Sequence, residues 1–356
     1  MSEGATPQTG GATAQPGSQV PAKYAGKYAD YQAFRLDRLL QQQEADIRLF
    51  CLTSLHDAFT VEKKIYQASK VKIYVLKPDE GQAYKAVMKM GKFDEDSKAR
   101  RKMKMMEEMS VHRYVTRAGC PYIAQVHDAL HLFMKDSCYG FQVEYMPEGS
   151  LAKTFPHLCY HHRLQLCRDV AKGLKHIHSL RIAHGDIKME NVLVHIGADG
   201  QPMGKIIDFG AARVMGSKVT SGQSFGNTWI FTCPELTNPE PTCIELAASS
   251  DIWSFGILAL NALIPTDHFP WRRASDVNED FRYFREHLDS SSERSRTRNP
   301  VPLQFLGETK FKVLRPFVNY LVTNLLRMDP TRRFAIDRVI QELEGEIPSP
   351  STAPDP

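Results

Sequence analysis

The chain has 356 residues, 42% of them hydrophobic and 24% charged, with a formal net charge of +4. That composition is ordinary for a globular protein and long enough to bury a core without disulfide staples. The charge is too small, and the basic residues too scattered among aromatics, for a nucleic-acid binder.

The seven cysteines form no C-x-x-C pair and several sit in apolar runs such as Leu166-Cys167. Buried free thiols in a reducing compartment fit this better than a disulfide or zinc framework. The longest apolar stretch, Phe255 to Pro265, is too short to span a bilayer, and residues 1–28 have neither a basic leader nor an apolar signal core. The expectation is a cytoplasmic or nuclear protein with no membrane partner.

Residues 1–28, rich in Gly, Ala, Pro, Gln and Thr, read as a disordered tail. In residues 29–56 a helical period runs through Phe34, Leu36, Leu39, Leu40, Ile47, Leu49 and Phe50, predicting a helical extension that docks on the following domain or binds a partner. Ile73 to Leu76, a turn at Pro78-Asp79-Glu80-Gly81, and Tyr84 to Lys89 predict a hairpin. Asp94 to Arg117 reads as a helix with acidic residues in its first turn. Strands follow near Ala124–Leu132 and Phe141–Tyr145. After Gly149 helices dominate: His162 to Ser179 with one apolar face through Leu166, Val170, Leu174 and Ile177, then Asp251 to Leu263 and Phe311 to Met328. Strands followed by helices predict an α+β domain over 57–345, with a small β-rich lobe and hinge at 57–146 and a helical lobe at 147–345. The tail from 346 is Pro-rich without a strict PxxP. An SH3-type partner is one reading of it. The basic run Lys98 to Lys104 is a solvated helix face or a dock for an acidic partner.

The chemistry concentrates in His184-Gly185-Asp186-Ile187-Lys188-Met189-Glu190-Asn191. Phosphoryl transfer needs an acceptor for a hydroxyl proton, metal ligands and cations on the phosphates. Asp186 suits the first role, Lys188 the last, and Asn191 can bind Mg²⁺ through its amide oxygen. Downstream, Asp208-Phe209-Gly210 offers a second Mg²⁺ ligand. Val192-Leu193-Val194 and Lys205-Ile206-Ile207 suit a hairpin that brings the two ligands to one end. A lone Asp is more often a cap, but both motifs in this order and spacing are hard to obtain by chance. Lys89 ends an A-x-x-K strand from Ala86 and would contact the α- and β-phosphates, oriented by Glu108 in preference to its neighbour Glu107. In Gln142 to Gly149 the backbone of Glu144 and Met146 would hold the adenine, with Val143 lining the back of the pocket. Phe231-Thr232-Cys233-Pro234-Glu235, Asp251 and Arg333 complete a scaffold in which Arg333 pairs with Glu235 and Asp251 caps the catalytic loop.

From about residue 57 to 345 these motifs resemble the protein kinase superfamily, and the run from HGDIKMENVLV through KIIDFGAAR to HFPWRRAS is similar to the SH3-binding-domain kinases, a serine/threonine group. The resemblance implies a bilobal kinase fold, ATP and Mg²⁺ in the cleft, and a protein substrate. It also assigns Ile65, Ile73, Ala86, Lys89, Glu108, Val143, Glu144, Met146 and Asp208 to the nucleotide site. Lys188 and Thr228 match the serine/threonine pattern.

Two departures stand out. Aligning Ile73 with the Val of the phosphate-covering loop G-x-G-x-x-G-x-V puts Tyr66, Ala68 and Val71 where glycines are expected. Losing one or two phosphate hydrogen bonds at roughly 1.5–3 kcal/mol each lowers affinity about 10- to 10⁴-fold. Gly185 replaces the Arg that pairs with a phosphorylated activation segment, here containing Ser217, Thr220, Ser221, Ser224 and Thr228. An active kinase, a pseudokinase scaffold and, through the HGD spelling, a small-molecule kinase therefore compete. The Thr228-to-Glu235 segment and the Asp251 helix argue against the last.

Overall fold

The computed structural model describes residues 48–346 apart from 53, 69–70, 79–84, 93–97, 136–137, 221–230, 237–242, 264–315 and 328. The helical period up to Ile47, the Asp79-Glu80-Gly81 turn, the acidic residues after Asp94, Thr228, the HFPWRRAS run and both tails lie outside the described residues.

Six strands, β1 (Arg48–Leu52), β2 (Val61–Gln67), β3 (Val71–Leu76), β4 (Ala86–Lys92), β5 (Val126–Phe133) and β6 (Cys138–Glu144), form one sheet in the order β1-β5-β6-β4-β3-β2. Their pairs are antiparallel except β1 with β5. Residues 48–52 are thus a strand where the helical period predicts helix. Arg-Leu-Phe-Cys-Leu is a short apolar run, ambiguous by periodicity, and its parallel pairing from Arg48 with Ala129 to Leu52 with Phe133 decides its conformation.

Side-chain alternation gives the sheet two buried faces. On one, Leu76, Met88, Met90, Phe133 and Cys138 pack with Leu55 of the single-turn helix Leu55–Ala58. On the other, Leu130, Tyr139, Phe141 and Val143 meet Met105 and Met109 of α1 (Lys98–Arg117). As described from Lys98, helix α1 has no acidic residue in its first turn.

The helical lobe is built on α2 (Tyr160–Ser179), whose Leu166, Cys167, Val170, Leu174 and Ile177 are buried at spacings of three and four. β7 (Ile182–Ala183) leads out of it, pairing later with β10 (Arg213–Val214). The hairpin of β8 (Val192–Ile196) and β9 (Pro202–Ile206) lies between them in sequence. Helix α3 (Ala248–Leu263) is buried almost all round, as an apolar helix in the centre of a lobe must be. A Cβ on its Gly256 would lie 2.7 Å from Leu326 and 2.9 Å from Leu325, so glycine is what lets the segment ending in α4 (Pro316–Leu325) approach. Helix α5 (Ile336–Glu346) closes the lobe through Val339, Ile340 and Leu343. Cys120, Cys138, Cys167 and Cys233 are free and buried, and no helix among the described residues is long and apolar enough to cross a membrane.

One buried ion pair fastens the segment after the activation loop to this lobe. The Arg333 guanidinium, with its side chain 1% exposed, donates to both Glu235 oxygens at 2.7 Å, to Ser249 O at 2.8 Å and to Arg327 O at 2.9 Å. It also stacks 5.2 Å from the Trp253 ring. Breaking a buried pair from one side costs about 3–5 kcal/mol because the partner charge is stranded. Arg333→Ala is therefore expected to lower the melting temperature by about 10 °C in calorimetry. A shift under about 2 °C would show that solvent reaches Glu235 and that the pair carries no such burden.

Candidate active site

The loop after β7 is fastened from below by Asp251, a fully buried residue of α3. Its two carboxylate oxygens accept from His184 N at 2.8 Å and Gly185 N at 2.9 Å, and His178 Nε2 lies 2.9 Å away. Burial alone raises the Asp251 carboxyl. His178, His184 and the Gly185 amide outweigh it and hold the group below the usual carboxylate range. Gly185 has φ +76°, and a Cβ there would lie 2.8 Å from Ala211 O, so the position takes glycine without strain. His184 lies with Nε2 3.0 Å from Ile207 O and accepts at Nδ1 from Asp186 N at 3.3 Å.

Asp186 is braced at one oxygen, which accepts from Lys188 Nζ at 2.7 Å and Asn191 Nδ2 at 2.9 Å. Asn191 Nδ2 also donates to Asp186 O at 2.8 Å, which turns its Oδ1 the other way. The next loop joins here, because Ile207 N donates to Asn191 O at 3.0 Å. Asp186, Asn191 and Asp208 are thus brought to one end of the β8–β9 hairpin.

Across the cleft, Lys89 Nζ lies 2.6 Å from Glu108 Oε1 and 3.0 Å from Asp208 Oδ1. Glu108 of α1 is the lysine's partner, while Glu107 is not among the residues bonded to it. Two carboxylates share one ammonium, and their surroundings separate them. Loss of hydration pushes buried Glu108 up to about 7 against the pull of Lys89. Burial also raises Asp208, but the Lys89 charge and hydrogen bond prevail and carry it to about 2. We take Asp208 as the ionised member and Lys89 as protonated, its pKa raised because Asp208 and Glu108 overcome the desolvation that would lower it. Asp208 sits in the left-handed region at φ 67°, ψ 76°, and turns Phe209 into the core between His112 and His184, with ring centroids 4.8 and 5.0 Å away. Burial lowers His112 to about 4, so the ring beside Lys89 stays neutral.

The nucleotide-lining residues need one correction. Ala86 is buried, but strand alternation puts it with Met88 and Met90 on the sheet face turned away from Lys89. Val87 shares the Lys89 face and, like Leu193 and Ile207, packs against the cluster that holds Val143 and Met146. Matching the letters A-x-x-K picked the wrong residue; counting by two from Lys89 finds Val87. Leu193 and Ile207, both missed by sequence reasoning, complete that cluster from the other lobe, and their signal is the apolar hairpin flanking Asn191. Ile73 pairs directly with Lys89, and Ile65 is 47% exposed in β2. Glu144 ends β6, its amide donates to Gln125 O at 2.9 Å, and its carboxylate clamps Lys205 Nζ at 2.8 and 2.9 Å. That clamp, too, was invisible in the sequence. Among the described residues no three His, Cys, Asp or Glu side chains cluster as a metal cage.

Comparison with known proteins agrees with this geometry. The chain is 30% identical over 264 residues to the serine/threonine-protein kinase SBK1 of Mus musculus, covering 71% of this chain and 56% of that protein. It is 28% identical over 251 residues to the protein of the same name from Danio rerio, covering 67% and 57%. With mitogen-activated protein kinase kinase 9 of Arabidopsis thaliana it shares 29% identity over 170 residues, 47% of this chain and 51% of that one. The chain thus spans a little over half the length of the SBK1 proteins it matches. The protein kinase domain matches residues 60–343, from the start of β2 to the core of α5, and the chain belongs to that family.

Proposed function

We propose that this chain transfers the γ-phosphoryl group of ATP to a serine or threonine hydroxyl of a protein substrate. The observation that carries the proposal is the Lys89 ammonium bridging Glu108 and Asp208, opposite an Asp186 braced by Lys188 and Asn191.

The residues fit MgATP. Mg²⁺ favours one or two protein oxygens with phosphate oxygens for the rest, so Asp208 and the outward Oδ1 of Asn191 suffice without a cage of three acidic residues. When bound, MgATP supplies the phosphoryl group and completes the metal's coordination with its own oxygens. Asp186 accepts the substrate hydroxyl proton. Lys188, already 2.7 Å from that carboxylate, offsets negative charge beside it. Lys89 holds the α- and β-phosphates. Ile65, Ile73, Val87 and Val143 would line the adenine, and the peptide edges of Glu144 and Met146 would supply its polar partners. A cytoplasmic or nuclear setting is supported by the free cysteines, and an SH3-type or acidic partner by the family resemblance and the basic run at Lys98 to Lys104.

The competing reading is a kinase-shaped binding module, favoured by Tyr66, Ala68 and Val71 at glycine positions. Phosphotransfer from labelled ATP with Mg²⁺ to generic protein substrates separates the two. Transfer by the wild type, lowered about 10²- to 10⁴-fold by Asp186→Ala with the MgATP thermal shift retained, is the expected result. Nucleotide binding with no transfer by the wild type would establish the binding module instead.

Gly185 brings a regulatory consequence. With no guanidinium in the catalytic loop at that position, a phosphate on the activation segment has no ligand there. Phosphatase treatment, or alanine at Ser217, Thr220, Ser221 and Ser224 together, is expected to leave transfer within about twofold of the untreated enzyme. Loss of most activity would refute this.

A further inference from the structure

We propose that Tyr66 is itself a nucleotide-binding residue, its ring covering the ribose and its phenol hydroxyl donating to an oxygen of the first two phosphates. This rests on the phosphotransfer reading above and adds to it the group that replaces a glycine-loop amide in this chain.

The register of the sheet carries the argument. Tyr66 of β2 stands directly opposite Ile73 of β3, and Ile73 directly opposite Lys89 of β4. Directly paired residues project from the same face of a sheet, so Tyr66, Ile73 and Lys89 share one face. That face is the cleft, because Lys89 reaches Glu108 and Asp208 from it. Two strand spacings separate the Tyr66 and Lys89 backbones, about 10 Å. The register slips between Lys64 and Tyr66, where one extra residue turns Ile65 and Tyr66 both towards Ile73. Among the described residues these are two of four large exposed apolar side chains, Ile65 at 47% and Tyr66 at 52%. Among the described residues the Tyr66 hydroxyl has no hydrogen-bond partner.

The strand that carries the ring is held at both ends. At the hinge end of β2, Glu62 pairs with Lys85 at 2.5 Å and Lys63 lies 6.0 Å over the Tyr145 ring. At the tip, Ala68 N donates to Val71 O at 2.8 Å and closes the hairpin. A large side chain fixed at both ends of its strand, on the face that looks into the cleft, costs exposed apolar area unless something covers it.

The test is calorimetric binding of MgATP, MgADP and adenosine to the full chain and to Tyr66→Phe, Tyr66→Ala and Tyr66→Gly. Because the residue is exposed, Tyr66→Phe and Tyr66→Ala should keep the wild-type melting temperature, and Tyr66→Gly should lower it by no more than a few degrees. Tyr66→Phe is expected to weaken MgATP and MgADP about tenfold, the low end for a hydrogen bond to a charged group, with adenosine unchanged. Tyr66→Ala should weaken all three ligands. Unchanged nucleotide affinity in Tyr66→Phe, or tighter MgATP binding by Tyr66→Gly, overturns the proposal while leaving phosphotransfer intact. A wild type that binds no nucleotide overturns both.

Discussion

One carboxylate, Asp251, holds the catalytic loop to the helical core, and the geometry of the cleft hangs from it. It is buried in α3 and accepts two consecutive loop amides together with His178. Each of those amides left without a partner costs about 1–3 kcal/mol. The loops it steadies contain left-handed backbone: Gly185 at φ 76°, which glycine tolerates, and the costlier Arg181 at φ 61° on the way in and Asp208 at φ 67° on the neighbouring loop. A non-glycine residue in that region costs of order 1–3 kcal/mol and persists only where its surroundings over-determine it. Asp251 and the His184 bond to Ile207 O supply that constraint, so the strain at Asp208 is held by bonds made in the core of the lobe.

Lys89 plays the matching role in the strand-rich lobe. One ammonium joins α1, through Glu108, to the Asp208 loop, so an outward swing of the helix would give up the 2.6 Å bond between Lys89 and Glu108. Phe209 locks the same arrangement sterically, wedged between His112 of α1 and His184 of the catalytic loop. His112 lies 2.6 Å from Ala124 O through Nε2, and its neutrality matters there, since a second positive ring beside Lys89 would oppose the ion pair. Helix α1, the catalytic loop and the Asp208 loop are therefore joined by both bonds and ring packing.

The parts of this arrangement that were legible in the sequence are those written in local pattern. The strand of Ile73 to Leu76, the apolar face of α2 and the paired loops of Asp186 and Asp208 are set by spacing within short windows. Choosing Glu108 over Glu107 worked because Met105, Val111, His112 and Val115 mark the inward face of α1. What failed depended on partners far away in the chain. Arg48–Leu52 has a short apolar run that fits a helix or a strand, and only its pairing with β5 settles which. Glu144 gives no sign of Lys205, 61 residues on, until both lie in the cleft. Ala86 was a different error, since strand alternation from Lys89 already pointed to Val87.

The glycines of this chain are displaced relative to its family, and the displacement has a physical sense. The phosphate-covering hairpin has side chains where glycines would give freedom, and the catalytic loop has a glycine where a side chain would give a charge. Removing glycine from a hairpin narrows the unfolded ensemble, so less entropy is lost when the loop is ordered, by about 0.4–1 kcal/mol at each compatible position. The β2–β3 ladder stays paired as far as Gln67 and Lys72. Placing glycine at residue 185 relieves a left-handed backbone next to Ala211 O and removes a cation from the loop. Strand pairing above and the Asp251 bonds below order the described part of the cleft.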